Sequence, residues 1–309
     1  MFCTNLLPSR AAVCERGAGV VRVERKRRRV GRSTIKVDRY RGSAVWLRTT
    51  PITAVITLAL FVPAKADDPC GGQARLLATL NRPTVGFSAC AVYPGTAVFE
   101  IGYQNQASDA QRQAQYPQNF LRLGLRPRFE LDVIGPNELN QRRISGAADS
   151  GLGFKYELPP RGRFTIGIDG LYTGPNGNAA FSAGNASLAG NLDVSYNLDP
   201  TTAIGTTIAL SSTGGYDATG NHGRYGVTTP SFLITKQLRG NYQLYAEYVY
   251  PSKLAPDIGG RAFVDYGVQK LLNRKFEIDA ELGHSITADR ALAFSYIGVG
   301  VGIQLGTSP

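Results

Sequence analysis

The sequence predicts an all-β fold, a transmembrane antiparallel up-and-down β-barrel of about twelve strands with a short N-terminal extension. Three observations predict it. Apolar and polar residues alternate in long runs, long gaps and tight turns alternate between the runs, and charge keeps to one face of them. The stretch Ala186 to Ser212, ASLAGNLDVSYNLDPTTAIGTTIALSS, displays the first of these. Leu188, Leu192, Val194, Tyr196 and Leu198 take every second position, with small Gly190 among them, and Asn191, Asp193, Ser195 and Asn197 take alternate ones. This is the period of a strand with one apolar face. Asp199-Pro200 breaks the run, and Ile204, Thr206, Ile208 and Leu210 resume it, so the stretch is a long hairpin with a very short turn. Strands of about ten residues suit a barrel wall with lipid outside and water inside.

Composition is consistent with this once the leader is set apart. Of 34 Lys/Arg and 23 Asp/Glu, 14 and 3 fall in residues 1–66, leaving 20 of each in residues 67–309. The basicity belongs to the leader, and no nucleic-acid partner follows from it. Within the leader, Pro51 to Val62 has the length of a signal-peptide apolar core, Ala64-Lys65-Ala66 reads as a cleavage site, and the mature chain is expected to begin at Asp67. Arg48 supplies the positive region before the apolar core, which places the translation start near Val45 or Leu47. The domain division is therefore residues 1–66, leader and signal peptide; residues 67–94, a periplasmic N-terminal extension; and residues 95–309, the barrel. Cys3 and Cys14 go with the leader, and export leaves Cys70 and Cys90 as an even pair in an oxidising compartment, read as a disulfide. Whether residues 71–94 plug the lumen or lie on the periplasmic side is open from sequence.

Strands are predicted near residues 96–104, 119–126, 128–134, 151–158, 163–172, 186–198, 201–212, 226–238, 241–250, 261–272, 274–284 and 292–305. Long gaps follow Gln104, Ile134, Tyr172, Ser212 and Tyr250, while Pro127, Pro159-Pro160, Asp199-Pro200, Arg239-Gly240 and Asn273 mark tight turns. Long loops at one end and short turns at the other are the layout of an outer-membrane barrel. One face carries Leu121, Leu123, Phe129, Leu131, Phe154, Ile166, Ile168, Ile278 and Leu282 and is assigned to lipid. The other carries the candidate lumen-lining residues Arg122, Arg126, Glu130, Asp132, Lys155, Glu157, Asp169, Asp193, Glu247, Asp265, Glu277, Asp279 and Glu281. An acidic wall of this kind either braces the barrel by salt bridges or favours cations in a pore. Tyr103, Tyr156, Tyr172, Tyr196, Tyr248, Tyr250, Tyr266 and Tyr296 fit an interfacial aromatic girdle.

Asn119 to Val133, NFLRLGLRPRFELDV, resembles the early hairpin of the outer-membrane transporter family named for the meta-pathway of phenol degradation. Gly151-Leu-Gly-Phe-Lys-Tyr156 is similar to that family's next strand, and Gly283-His-Ser-Ile-Thr287 to its penultimate turn; Asp132 departs from it, standing where a basic residue is common. The resemblance implies a porin-like outer-membrane channel for uptake of hydrophobic or aromatic compounds. The expected partners are outer-membrane lipid, the barrel-assembly machinery and an unidentified small solute, in the bacterial outer membrane. No cofactor, metal or catalytic residue is expected. His284-Ser285, the one pairing that invites a lipid-hydrolase reading, points to opposite faces of a strand, and an occluded structural or adhesive barrel is the stronger alternative to a channel.

Overall fold

The computed structural model describes residues 70–71, 75–108, 112–141, 144–217, 219–287 and 293–306; the predicted leader, residues 1–66, lies outside them. The chain contains one five-residue helix, α1 (Arg75–Thr79), and sixteen strands among the described residues. These are β1 (Ala97–Ser108), β2 (Arg112–Arg126), β3 (Phe129–Ile134), β4 (Glu138–Gln141), β5 (Ile144–Ala147), β6 (Gly151–Glu157), β7 (Phe164–Thr173) and β8 (Ser187–Asp199), then β9 (Thr202–Tyr216), β10 (His222–Leu238), β11 (Tyr242–Val249), β12 (Lys253–Ala255), β13 (Ile258–Gly259), β14 (Phe263–Asn273), β15 (Phe276–Ser285) and β16 (Phe294–Leu305).

Twelve of them form a closed antiparallel ring in chain order, β1-β2-β3-β6-β7-β8-β9-β10-β11-β14-β15-β16, and β16 pairs back on β1 from Ala97↔Leu305 to Ser108↔Phe294. Closure leaves no open edge, which a lipid-facing sheet requires. Every predicted strand is present. The turns obey the local chemistry that marks them: Pro127 and Arg128 (φ 64°) link β2 to β3, while Gly240 (φ 76°) and Asn241 (φ 63°) take the left-handed region between β10 and β11. Outside, Leu152, Phe154, Ile168, Leu192, Ile208, Phe232, Leu244, Ile278 and Ile297 are exposed, forming the apolar belt that the alternation demands.

Two of the predicted long gaps are short. β1 runs to Ser108 and pairs Ala107 with Arg112, and β9 runs to Tyr216 and pairs it with His222, so the gaps after Gln104 and Ser212 are tops of tall hairpins. Small and polar residues there weaken the alternation without breaking the ladder. The loops over residues 135–150 and 250–262 carry small hairpins of their own, β4–β5 and β12–β13, too short for periodicity to reveal.

The place of the extension, open from sequence, is inside the barrel: residues 75–94 run up its interior, turn at Thr84–Phe87, and return to β1. Leu76, Leu77 and Leu80 of this plug pack with Val92, Val98 and Leu271 in a buried apolar cluster, each contributing roughly 1.5–3 kcal/mol. Inner-wall glycines make room for it. A Cβ on Gly102 or Gly300 would sit 2.4 or 2.5 Å from the Arg82 guanidinium, and one on Gly124 only 2.0 Å from the Tyr93 carbonyl oxygen. Cys70 and Cys90 are joined by a disulfide that ties the two ends of the plug together.

Candidate functional site

The inner wall is organised around three cations. Arg122, on β2, is fully buried and donates through Nε (2.9 Å) and Nη2 (2.7 Å) to Glu130 of β3; its Nη1 lies 3.4 Å from Glu100 of β1, and Asp132 is 4.0 Å from Nε. The same guanidinium donates to the plug carbonyls of Thr79 and Cys90. Lys155, on β6, stands 3.4 Å from Asp169 and 3.9 Å from Asp193, donates to the Ser88 carbonyl and lies 5.5 Å from the centre of the Phe87 ring. Arg82 comes from the plug itself: it reaches Asp279 (3.1 Å) and Glu281 (3.7 Å) on β15 and donates to Gln118 on β2. Buried charges persist only when paired and hydrogen-bonded, and here the plug supplies part of that pairing.

The carboxylates hold the plug's backbone in turn. Glu100 accepts the N–H of Asn81 and, at 2.7 Å, of Arg82; Glu130 accepts Val92 (2.5 Å), Glu157 accepts Ala91 (2.9 Å), and Glu247 accepts both Val85 and Gly86 at 2.8 Å. A peptide with no ladder of its own must find partners for its N–H groups, and wall carboxylates provide them. Asp265 accepts from the Tyr245 hydroxyl at 3.2 Å, and Glu277 is buried on the same face of β15 as Asp279 and Glu281. Twelve of the thirteen residues read as lumen-lining are therefore brought inside, against the plug or one another. Arg126 is the exception: it is the last residue of β2, exposed beside the Pro127 turn, where the strand has left the packed interior. Glu100, Arg82 and Gln118 were missed. The alternation of Phe99, Ile101 and Tyr103 gives the phase that puts Glu100 inside, whereas the plug has no periodicity that could have placed Arg82.

The aromatic girdle also needs one correction. Tyr103, Tyr156, Tyr172, Tyr248, Tyr250 and Tyr266 are exposed, but Tyr296 is buried, because it falls on the inner phase of β16 with Phe294. His284 is exposed, edge-on to Tyr266, whereas Ser285 Oγ accepts from the Phe294 N–H at 2.9 Å, so the two side chains lie on opposite faces. His222 opens β10 and contacts the Ala183 carbonyl at 2.8 Å.

One sector of the wall is different. The inward residues of β9 are Ala203, Gly205, Thr207, Ala209, Ser211 and Thr213; those of β10 are Tyr225, Val227, Thr229, Ser231, Leu233, Thr235 and Gln237. None is charged. Two solvent-connected cavities follow this sector. One opens at the turn end, past Gln237, Thr235 and Leu233. Another opens at the loop end, lined by Tyr225, Phe263, Phe294 and Tyr296. Both are lined by Arg82, Thr84, Gly86 and Phe87 of the plug and by Thr207 and Ser231 of the wall, so they meet at the plug tip. Beyond the wall, in the loop over residues 217–221, hydrogen bonds from Thr219 and the Asn221 N–H hold the exposed Asp217 carboxyl below the usual carboxylate range.

This is the architecture of a porin-like outer-membrane β-barrel. The chain is similar to an outer-membrane channel from Pseudomonas putida F1, with a TM-score of 0.57 at 12% identity over 70% of this chain and 98% of that one. It is also similar to the NanC porin, with a TM-score of 0.51 at 10% identity over 66% and 98%. At these identities the likeness is one of fold. No protein-family model and no curated protein matches the sequence.

Proposed function

We propose that the protein is a passive outer-membrane channel in which small solutes travel along the uncharged β9–β10 sector, past the tip of the plug. The observation that carries this reading is the meeting of the two cavities at Thr207 and Ser231, opposite Gly86 and Phe87. Solutes with an apolar or aromatic body suit the loop-end cavity, where Phe263 and Phe294 lie edge-on with ring centres 5.6 Å apart and Phe294 stacks on Tyr296 at 6.4 Å. Membership of the transporter family named for the meta-pathway of phenol degradation belongs to this proposal, supported by that cavity and by the Asn119–Val133 hairpin. In it the acidic wall secures the plug, and no catalytic role is assigned to any residue. The turn end, where the chain enters and leaves the barrel, faces the periplasm, and the loop end faces the exterior.

A second reading, an occluded barrel with a structural or adhesive role, draws on the hydrogen bonds that fasten the plug tip to Glu247. Single-channel recording of the full-length protein in planar bilayers separates the two. Discrete conductance steps are expected; a correctly folded barrel, verified by heat-dependent gel migration, that stays silent at all voltages would favour the occluded reading.

A further inference from the structure

Glu247 differs from the other carboxylates that hold the plug. Those at its base act together with Arg122, Lys155 and the Cys70–Cys90 disulfide, so the base is fastened several times over. Glu247 faces the tip and, among the described residues, forms no ion pair with a Lys or Arg. Its two oxygens are each 2.8 Å from the N–H groups of consecutive residues, Val85 and Gly86. Among the described residues the tip backbone also meets Thr207, whose Oγ1 accepts from the Phe87 N–H at 3.2 Å and lies 3.4 Å from the Phe87 carbonyl oxygen. Gly86 is seated directly on the wall: a Cβ there would lie 2.6 Å from Ser231 Oγ and 2.8 Å from Glu247 Oε1. This is also where the two cavities meet, so a solute moving between them passes against the tip.

Lifting the tip leaves a carboxylate buried in the wall without its donors, a strongly unfavourable state. A solute that presents its own pair of donors removes that cost; one that presents only acceptors or apolar surface does not. We propose that Glu247 is the specificity-determining residue of the lane: it latches the plug tip in place and releases it to solutes carrying two adjacent N–H or O–H donors. A carboxylate takes such a pair side by side, as it takes the two backbone amides here. The inference rests on the channel reading above and names the solute chemistry for it.

The test uses single-channel recording of the full-length protein with two uncharged aromatic probes of similar size. Phenylurea has paired N–H donors and acetophenone has none. At equal millimolar concentrations, phenylurea raises the open fraction by about threefold or more, while acetophenone leaves it unchanged, as expected when a ligand biases a two-state element only through a differential contact. Glu247→Gln offers one acceptor and turns an NH₂ toward the tip, so this variant opens without solute and loses the phenylurea response. A second variant, Phe87→Cys with Thr207→Cys, at the pair already joined by the Phe87 N–H to Thr207 Oγ1 hydrogen bond, ties the tip to the wall under oxidation. It ignores phenylurea until reductant is added, with the unsubstituted protein in the same reductant as the control for the Cys70–Cys90 bond. Equal responses to both probes, or a phenylurea response that survives in Glu247→Gln or in the oxidised cross-linked protein, overturns the latch and leaves the channel standing. Silence of the folded protein and of Glu247→Gln under every condition overturns both.

Discussion

The barrel interior has two kinds of wall. From β11 round through β16 and β1 to β8 it is lined by carboxylates, most of them arranged about Arg122, Lys155 and the plug's Arg82, and packed against a peptide whose N–H groups several of them accept. Along β9 and β10 it is lined by Thr, Ser, Ala and a few apolar residues, and cavities lie against it. An acidic lumen is therefore not in itself a conduction path. Charges buried at 0% exposure, as Arg122, Glu130, Lys155 and Asp265 are, belong to packing; space remains along the uncharged sector and, towards the loop end, over Gln115, Gln118 and Leu171.

The largest effect that this contrast predicts comes from breaking the charged side. Arg122→Met leaves Glu100, Glu130 and Asp132 buried without their central cation, and removing one partner of such a network costs about 3–5 kcal/mol. The temperature at which the folded band disappears in heat-dependent gel migration should fall strongly, and an unchanged temperature would remove Arg122 from the centre of the account. Next is the staple. Cys90→Ser opens a link between residues 20 apart, worth about 3 kcal/mol in the chain-entropy model, and should expose the plug to protease from the turn end while the strands stay protected. Smaller in energy but specific to the other sector is Ala209→Trp on β9. It fills the lane and should reduce conductance by about threefold or more with little change in heat stability; equal conductance would take the path away from β9.

The smallest effect lies outside both sectors. The Asp217 carboxyl has a pKa depressed by its Thr219 and Asn221 hydrogen bonds. Its contribution is therefore fully present above the unfolded value of about 3.9 and lost as pH falls through the lower folded value. The Asn221 N–H, which donates to Asp217 at 2.7 Å, should stay protected from amide hydrogen exchange at pH near 5, relative to its intrinsic rate at each pH, and lose protection only in stronger acid, with conduction unchanged between neutral pH and pH near 5. Loss of that protection already at pH near 5 would contradict this.

Much of the wall was legible in the sequence because a strand with lipid on one side must alternate, as Leu121, Arg122 and Leu123 or Phe276, Glu277 and Ile278 do. Alternation also puts Glu247 and Asp265 inside without any knowledge of their partners. It fails where both faces are small or polar, which is why β1 and β9 proved taller than Gln104 and Ser212 indicated. The plug was illegible for a different reason. Asn81 to Val92 makes no regular structure, and what places it is a set of contacts with residues distant in sequence, Arg82 to Asp279 and Val85 to Glu247 among them. The inner glycines Gly300 and Gly302 are the readable trace of it, positions without side chains where β16 faces Arg82 and Leu80.

In the proposed channel, solutes use the β9–β10 sector and the plug fills the charged one. Thiol modification during single-channel recording tests it most directly, with one cysteine at a time introduced at Thr235, which lines the turn-end cavity, or at Val98, packed against the plug. A bulky water-soluble thiol reagent should cut the conductance of the Thr235→Cys channel by half or more within seconds and leave Val98→Cys untouched. Rapid block through Val98→Cys, with Thr235→Cys unaffected, would put the path on the charged wall and contradict the account.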